Sequence, residues 1–143
     1  MRFRDRKLFN VLARAAKRRV KQFNRQDLAN TAWAFATVKC ADENLLRTLT
    51  RAAVRHVNKL TIQNLANTSW AFATLKKPNE KLFAALATVT EQQLVEFKTV
   101  DLAITAWAFA VVQQSTDNFC SAVARAAERY VSECSAQELA NTA

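Results

Sequence analysis

The nonapeptide LANTAWAFA at Leu28 to Ala36 returns as LANTSWAFA from Leu65 and as LAITAWAFA from Leu102, and the chain ends on LANTA from Leu139. Every step is 37 residues. A fixed period of this length marks a stacked-repeat protein, in which no unit can bury its apolar face alone and each does so against its neighbours. It moves the question of function from a pocket to an extended surface.

Whole units repeat, not the signature alone. Leu8, Leu45, Leu82 and Phe119 fall in phase, as do Val20, Val57, Leu94 and Val131. Each unit then holds two segments: a short one carrying the Trp, and one of about 16 residues with the 3.6 period of an amphipathic helix. On the second, Leu45, Leu49, Ala52, Ala53, Val57 and Leu60 share one side, and Arg47, Arg51, Arg55 and Asn58 the other. The fold expected is all-α: an α-solenoid of 37-residue two-helix repeats. Its divisions are a half repeat (1–23), full repeats 24–60, 61–97 and 98–134, and a partial repeat (135–143), read as a piece of a longer array.

Cap residues fit this plan. Asn24, Thr61 and Ser135 stand at the start of the signature helix, with Asp27, Asn64 and Glu138 three residues on; Ser135 with Glu138 reads as a full capping box. In the third copy Lys98 is a weak cap that could slide to Thr99. Asp5, Asp42, Asn79 and Thr116 are cap types opening the second helix. Glycine is absent, which argues against hairpins, whose turns lean on Gly at positive φ.

Trp33 and Phe35 point about 200° apart on a helix, and both large rings call for burial. One seam is then Leu28, Ala32 and Phe35, and the other Ala29, Trp33 and Ala36. The exposed stripe left over is Asp27, Asn30, Thr31, Ala34 and Thr37, with Asn64, Asn67, Thr68 and Asp101, Ile104, Thr105 as its counterparts in later units. Trp33, Trp70 and Trp107 are expected in the core rather than as stacking platforms for bases. Asn30 and Asn67 have two readings, as base readers or as an interhelix ladder of amides.

The formal net charge of +9 and a pI near 10.0 suit a polyanionic partner. Residues 1–23 hold nine Lys or Arg and one acid, against six basic and three acidic residues in the first full unit. Arg14, Lys17 and Arg18 continue into Arg47, Arg51 and Arg55, a patch suited to phosphates; the alternative is a solvated outer face. Lys39, Lys76 and Lys77 at helix ends are further phosphate candidates that also complement the helix dipole. The Arg-rich amino end reads like a mitochondrial presequence, but it keeps the phase of the repeat and is better explained as a second helix.

Nothing points to catalysis. No glycine is present to cradle a phosphate, the single histidine His56 has no nucleophile at a telling spacing, and the carboxylates are scattered. No metal or cofactor site is expected. Cys40, Cys120 and Cys134 show no CxxC spacing and read as buried free thiols in a reducing compartment. No apolar run is long enough to cross a bilayer, and no membrane role is expected.

The Trp-bearing nonapeptide in a 37-residue helix pair resembles the heptatricopeptide and octotricopeptide class of organellar repeats, relatives of those found with RAP domains and in FAST-kinase-like proteins. The likeness spans essentially the whole chain. A Pro-rich PPPEW element is missing, which places the chain nearer the heptatricopeptide side. The resemblance implies sequence-selective binding of single-stranded RNA in mitochondria or chloroplasts, in RNA processing, stability, ribosomal RNA handling or translation. Asp27, Asn30, Thr31, Asn64, Asn67, Thr68, Asp101, Ile104 and Thr105 would then face bases. The expected molecule is a monomer that works beside other proteins of an organellar RNA-handling complex. The rival expectation is a protein-interaction scaffold.

Overall fold

The computed structural model describes residues 3–133, which form seven α-helices and no strand. They are α1 (Phe3–Arg19), α2 (Arg25–Thr37), α3 (Glu43–His56), α4 (Ile62–Thr74), α5 (Glu80–Gln93), α6 (Thr99–Val112) and α7 (Asp117–Glu133). A single 3-10 turn, at Val20–Gln22, Val57–Lys59 or Leu94–Glu96, leads from each second helix toward the next signature helix. None of these helices is long and apolar enough to cross a membrane.

Side-chain caps set most of the boundaries. Asn24 Oδ1 accepts from the backbone N–H groups of Gln26 (2.8 Å) and Asp27 (2.9 Å), while Asp27 Oδ2 accepts from Asn24 N–H (2.9 Å), so the full capping box lies here. Thr61 caps α4, and Asp42, Asn79 and Thr116 cap α3, α5 and α7. Lys98 keeps the N-cap position of α6 without a side-chain bond, so the start does not slide to Thr99. Asp5 opens nothing, because α1 already begins at Phe3. Ser135 and Glu138 lie outside the described residues.

The signature helices end in a common way. Lys39, Lys76 and Gln113, 37 residues apart, all take left-handed backbone with φ of 54°, 51° and 55°. Cys40 N–H reaches back to Phe35 C=O (2.9 Å) and Gln114 N–H to Phe109 C=O (3.3 Å), closing the helix as a Schellman-type turn. Glycine normally fills this position; here lysine and glutamine hold it.

The helices pack as two layers with translational order: α2, α4 and α6 lie side by side, and α1, α3, α5 and α7 make up the other layer. The core lies between them. Phe35, Phe72 and Phe109 point into it from the signature helices, against Leu45, Leu49, Leu82, Leu86 and Phe119. Phe109 packs edge-on against Phe83 of the unit before it (5.1 Å) and stacks on Phe119 of its own unit (4.2 Å), so one ring joins two units. Leu8 and Leu12 are exposed although Leu45 and Leu49, at the same register, are buried, because no described helix precedes α1.

Candidate nucleic-acid interface

Each signature helix has four sides. Leu28 and Phe35 face the second layer, and two flanks face the neighbouring signature helices. The fourth side is open, since no third layer covers it among the described residues. Small residues let the neighbours approach closely: Ala29, Ala32 and Ala36 are buried on one flank of α2, and Thr68 and Ala71 on the facing flank of α4. The signature helices are in far closer contact with each other than the second helices are.

This geometry corrects the expected stripe. Asn64 (7% exposed), Thr68 (3%), Thr105 and Ala108 are buried, because positions 64, 68 and 71 form the seam with the preceding signature helix. Thr31 and Ala34 are partly open on α2 only because no described signature helix precedes it. Thr105 spends its hydroxyl on Asp101 C=O (2.8 Å). Asp27 is exposed but engaged in the Asn24 capping box, and Asp101 is half-buried.

The open face carries a different row: Gln26, Asn30, Trp33 and Thr37 on α2, then Gln63, Asn67, Trp70 and Thr74 on α4, then Val100, Ile104, Trp107 and Val111 on α6. Of the predicted base readers, Asn30, Asn67 and Ile104 belong to it. The tryptophans are a second correction. Trp33 is 47% exposed and Trp107 46%, and Trp70 is half-buried. With Phe35 turned into the core, the ring two residues away is turned out of a two-layer fold. The signal was in the sequence: the residues one turn either side of Trp33 are Asn30 and Thr37, polar neighbours unlike those of a core ring.

Trp33 and Trp70 approach to 6.4 Å between ring centroids, with planes tilted by 34°. Among the described residues, no hydrogen bond involves the side chain of Asn30 or Asn67, and so no amide ladder links them. Nothing acidic stands in the row, while Lys39 and Lys76 are exposed at its carboxyl-end rim. At the opposite rim an unforeseen groove of about 460 Å³ is lined by Phe23, Asn24, Arg25, Gln26, His56 and Lys59.

The arginines predicted for phosphates lie elsewhere. Arg14, Arg18, Arg47, Arg51 and Arg55 are exposed on the second-helix layer. Arg47, Arg51 and Arg55 line a groove of about 660 Å³ with Lys77 and Lys81, over Leu46, Val54 and Phe72. Two lysines of the predicted set are already paired: Lys77 with Glu43 (2.8 Å) and Lys17 with Asp42 (3.5 Å). The Lys77 hydrogen bond holds the Glu43 carboxyl below its usual range. Phosphate and base candidates are therefore on different layers, apart from the rim lysines.

Cys40 is half-buried and Cys120 exposed, so burial as expected fails for Cys120; Cys134 lies outside the described residues. Cys120 holds the register of the buried Phe83, but no described helix follows to cover it.

An exposed aromatic row flanked by amides and basic rims has the chemistry of a surface for single-stranded nucleic acid. The family model described as RNA-editing substrate-binding complex 6 protein matches residues 1–143. The chain belongs to this family. Membership agrees with the RNA-handling character implied by the tryptophan repeat, at a coarser level than heptatricopeptide, octotricopeptide or RAP-associated repeats. No curated protein matches the chain.

Proposed function

We propose that this chain binds single-stranded RNA along the open face of its signature helices, as a component of an RNA-editing substrate-binding complex. The observation that carries the reading is the row of exposed Trp33, half-buried Trp70 and exposed Trp107, with Asn30 and Asn67 beside it and Lys39 and Lys76 at its edge. Indoles stack on bases of any sequence, free amides discriminate their edges, and lysines hold the backbone. Selectivity then rests on Asn30 and Asn67. The chain acts by binding, not by catalysis, and as a monomer alongside RNA-handling proteins. A kinship to heptatricopeptide-type repeats suits this reading, as does an organellar setting, with the mitochondrion the compartment that an RNA-editing family favours.

The test is fluorescence anisotropy with a labelled single-stranded oligoribonucleotide at rising salt. Affinity should fall with a log–log slope of about −0.7 per phosphate contacted. Absence of binding at low salt would overturn the reading.

One observation favours a second surface. In the third unit the amides give way to Val100, Ile104 and Val111 around Trp107, and Val100 is 69% exposed. An apolar row suits a protein partner better than a base edge, so the carboxyl-end part of the face is the place where a scaffold role would reside.

A further inference from the structure

Trp33 and Trp70 come from successive units, and their rings are neither in face contact nor edge-on: the centroids are 6.4 Å apart and the planes open at 34°. Rings at this separation and tilt still interact as a pair, and a base between them needs two stacking intervals of about 3.4 Å each, so the indoles must turn apart to admit one planar ring. We propose that these two indoles turn apart to form a slot for a single nucleobase, whose edge is read by Asn67 and Asn30. This rests on the reading of the open face as an RNA surface and assigns the place where one base is gripped.

Four observations converge on it. Both indoles reach the open face, Trp33 more than Trp70, which also packs against the core, so a base meets the pair from solvent. Leaving so much aromatic surface in water costs free energy that an inserted base would recover. Asn30 and Asn67 stand one helical turn before their tryptophans on the same face, and an amide unused within the protein offers both a donor and an acceptor to a base edge. The row around the pair is uncharged, and Lys39 and Lys76 beyond it supply the positive charge a phosphate needs. At Trp107 the row positions are Val100, Ile104 and Val111, so among the described residues the polar frame is confined to the boundary between the first two full units.

A nine-nucleotide RNA that is abasic except for one central 2-aminopurine, compared with the all-abasic strand, isolates one base at constant phosphate number. The wild-type chain should bind the first strand roughly tenfold more tightly or better, and 2-aminopurine emission should be quenched. Trp70→Leu should erase the difference between the strands, with circular dichroism confirming an intact helical fold, while Ser69→Ala, a buried change in the same helix, should preserve it. Equal binding of both strands by the wild-type chain, with ordinary RNA still bound, would remove the slot and leave the RNA surface standing. Binding of no RNA at all would remove both. A difference that survives Trp70→Leu would also overturn the assignment. The strand comparison on the unmodified protein stands even if a variant fails to fold.

Discussion

Lys39 and Lys76 hold the same left-handed backbone, with φ of 54° and 51°, each at the turn that ends a signature helix and at the rim of the open face. For a residue with a Cβ this conformation costs about 1 to 2 kcal/mol, and glycine adopts it freely. Lys76→Gly should therefore raise stability by about 1 kcal/mol in urea melts. The same variant should weaken RNA binding and shallow its salt dependence by one contact, about 0.7 in log–log slope. If the variant is more stable and binds unchanged, the rim lysine has no part in holding the backbone.

Ser69 is fully buried in α4, and its hydroxyl has no hydrogen-bond partner. The equivalent residues in the neighbouring units are Ala32 and Ala106. A buried hydroxyl without a partner costs about 1 to 3 kcal/mol. Ser69→Ala should raise the urea midpoint by an amount worth about 1 kcal/mol and leave RNA affinity alone, because the side chain faces a seam. A loss of stability would mean that the hydroxyl is satisfied in solution.

How far the fold was legible follows from which physical rule each residue obeys. The 37-residue period and the apolar phase of Leu45, Leu49 and Val57 give two helices per unit, because burial of a regular stripe is a local property. Asn24, Asp42, Asn79 and Thr116 mark helix starts because the cap bond reaches only two or three residues. The side of the signature helix left to solvent was not legible in the same way. It depends on the order of layers, a property of the stack. Asn64 and Thr68 look like surface residues in composition but lie in a seam, where a neighbouring helix and not water covers them. Trp33 looks like core by its type, yet Phe35 takes the only side that a second layer covers. Asn30 and Thr37 point to the exposure of Trp33, but Trp107 stands between Ile104 and Val111 and is as open, so the order of layers decides it rather than the neighbours.

Phe109 should carry the junction of the last two full units, since it touches Phe83 on one side and Phe119 on the other. Phe109→Ala should cost about 3 to 5 kcal/mol. In a stack stabilised by nearest neighbours the loss is local. Hydrogen exchange should accelerate first in α6 and α7, with α2 and α3 protected longer; uniform acceleration would show that the units fold as one block.

The thiols should differ in reactivity. Burial, followed by the charge of Asp42, pushes the Cys40 thiol above its ordinary value, whereas Cys120 is exposed. Thiolate is the reactive form, so iodoacetamide at pH 8 should label Cys120 well before Cys40 in a peptide map. The sign for stability follows: a thiol harder to ionise in the folded state favours folding fully below its unfolded value, and that contribution is lost as pH rises through the folded one. Reversed labelling order would contradict the burial of Cys40.

The two layers make separate predictions for salt-dependent binding. Arg47, Arg51 and Arg55 lie on the second-helix layer, the far side of the core from Trp33 and Trp70. One packed helix layer is about 10 Å thick, and at 0.1 M salt the Debye length is also about 10 Å. Charges on the outer layer should thus contribute little to a strand on the open face. Replacing Arg47, Arg51 and Arg55 together by alanine should change RNA affinity by less than about threefold at 0.15 M salt. Replacing Lys39 and Lys76 should lower it more, with a smaller salt slope. The opposite ranking would move the backbone path to the groove formed by Arg47, Arg51, Arg55 and Lys81, and the tryptophan row would then need a different ligand.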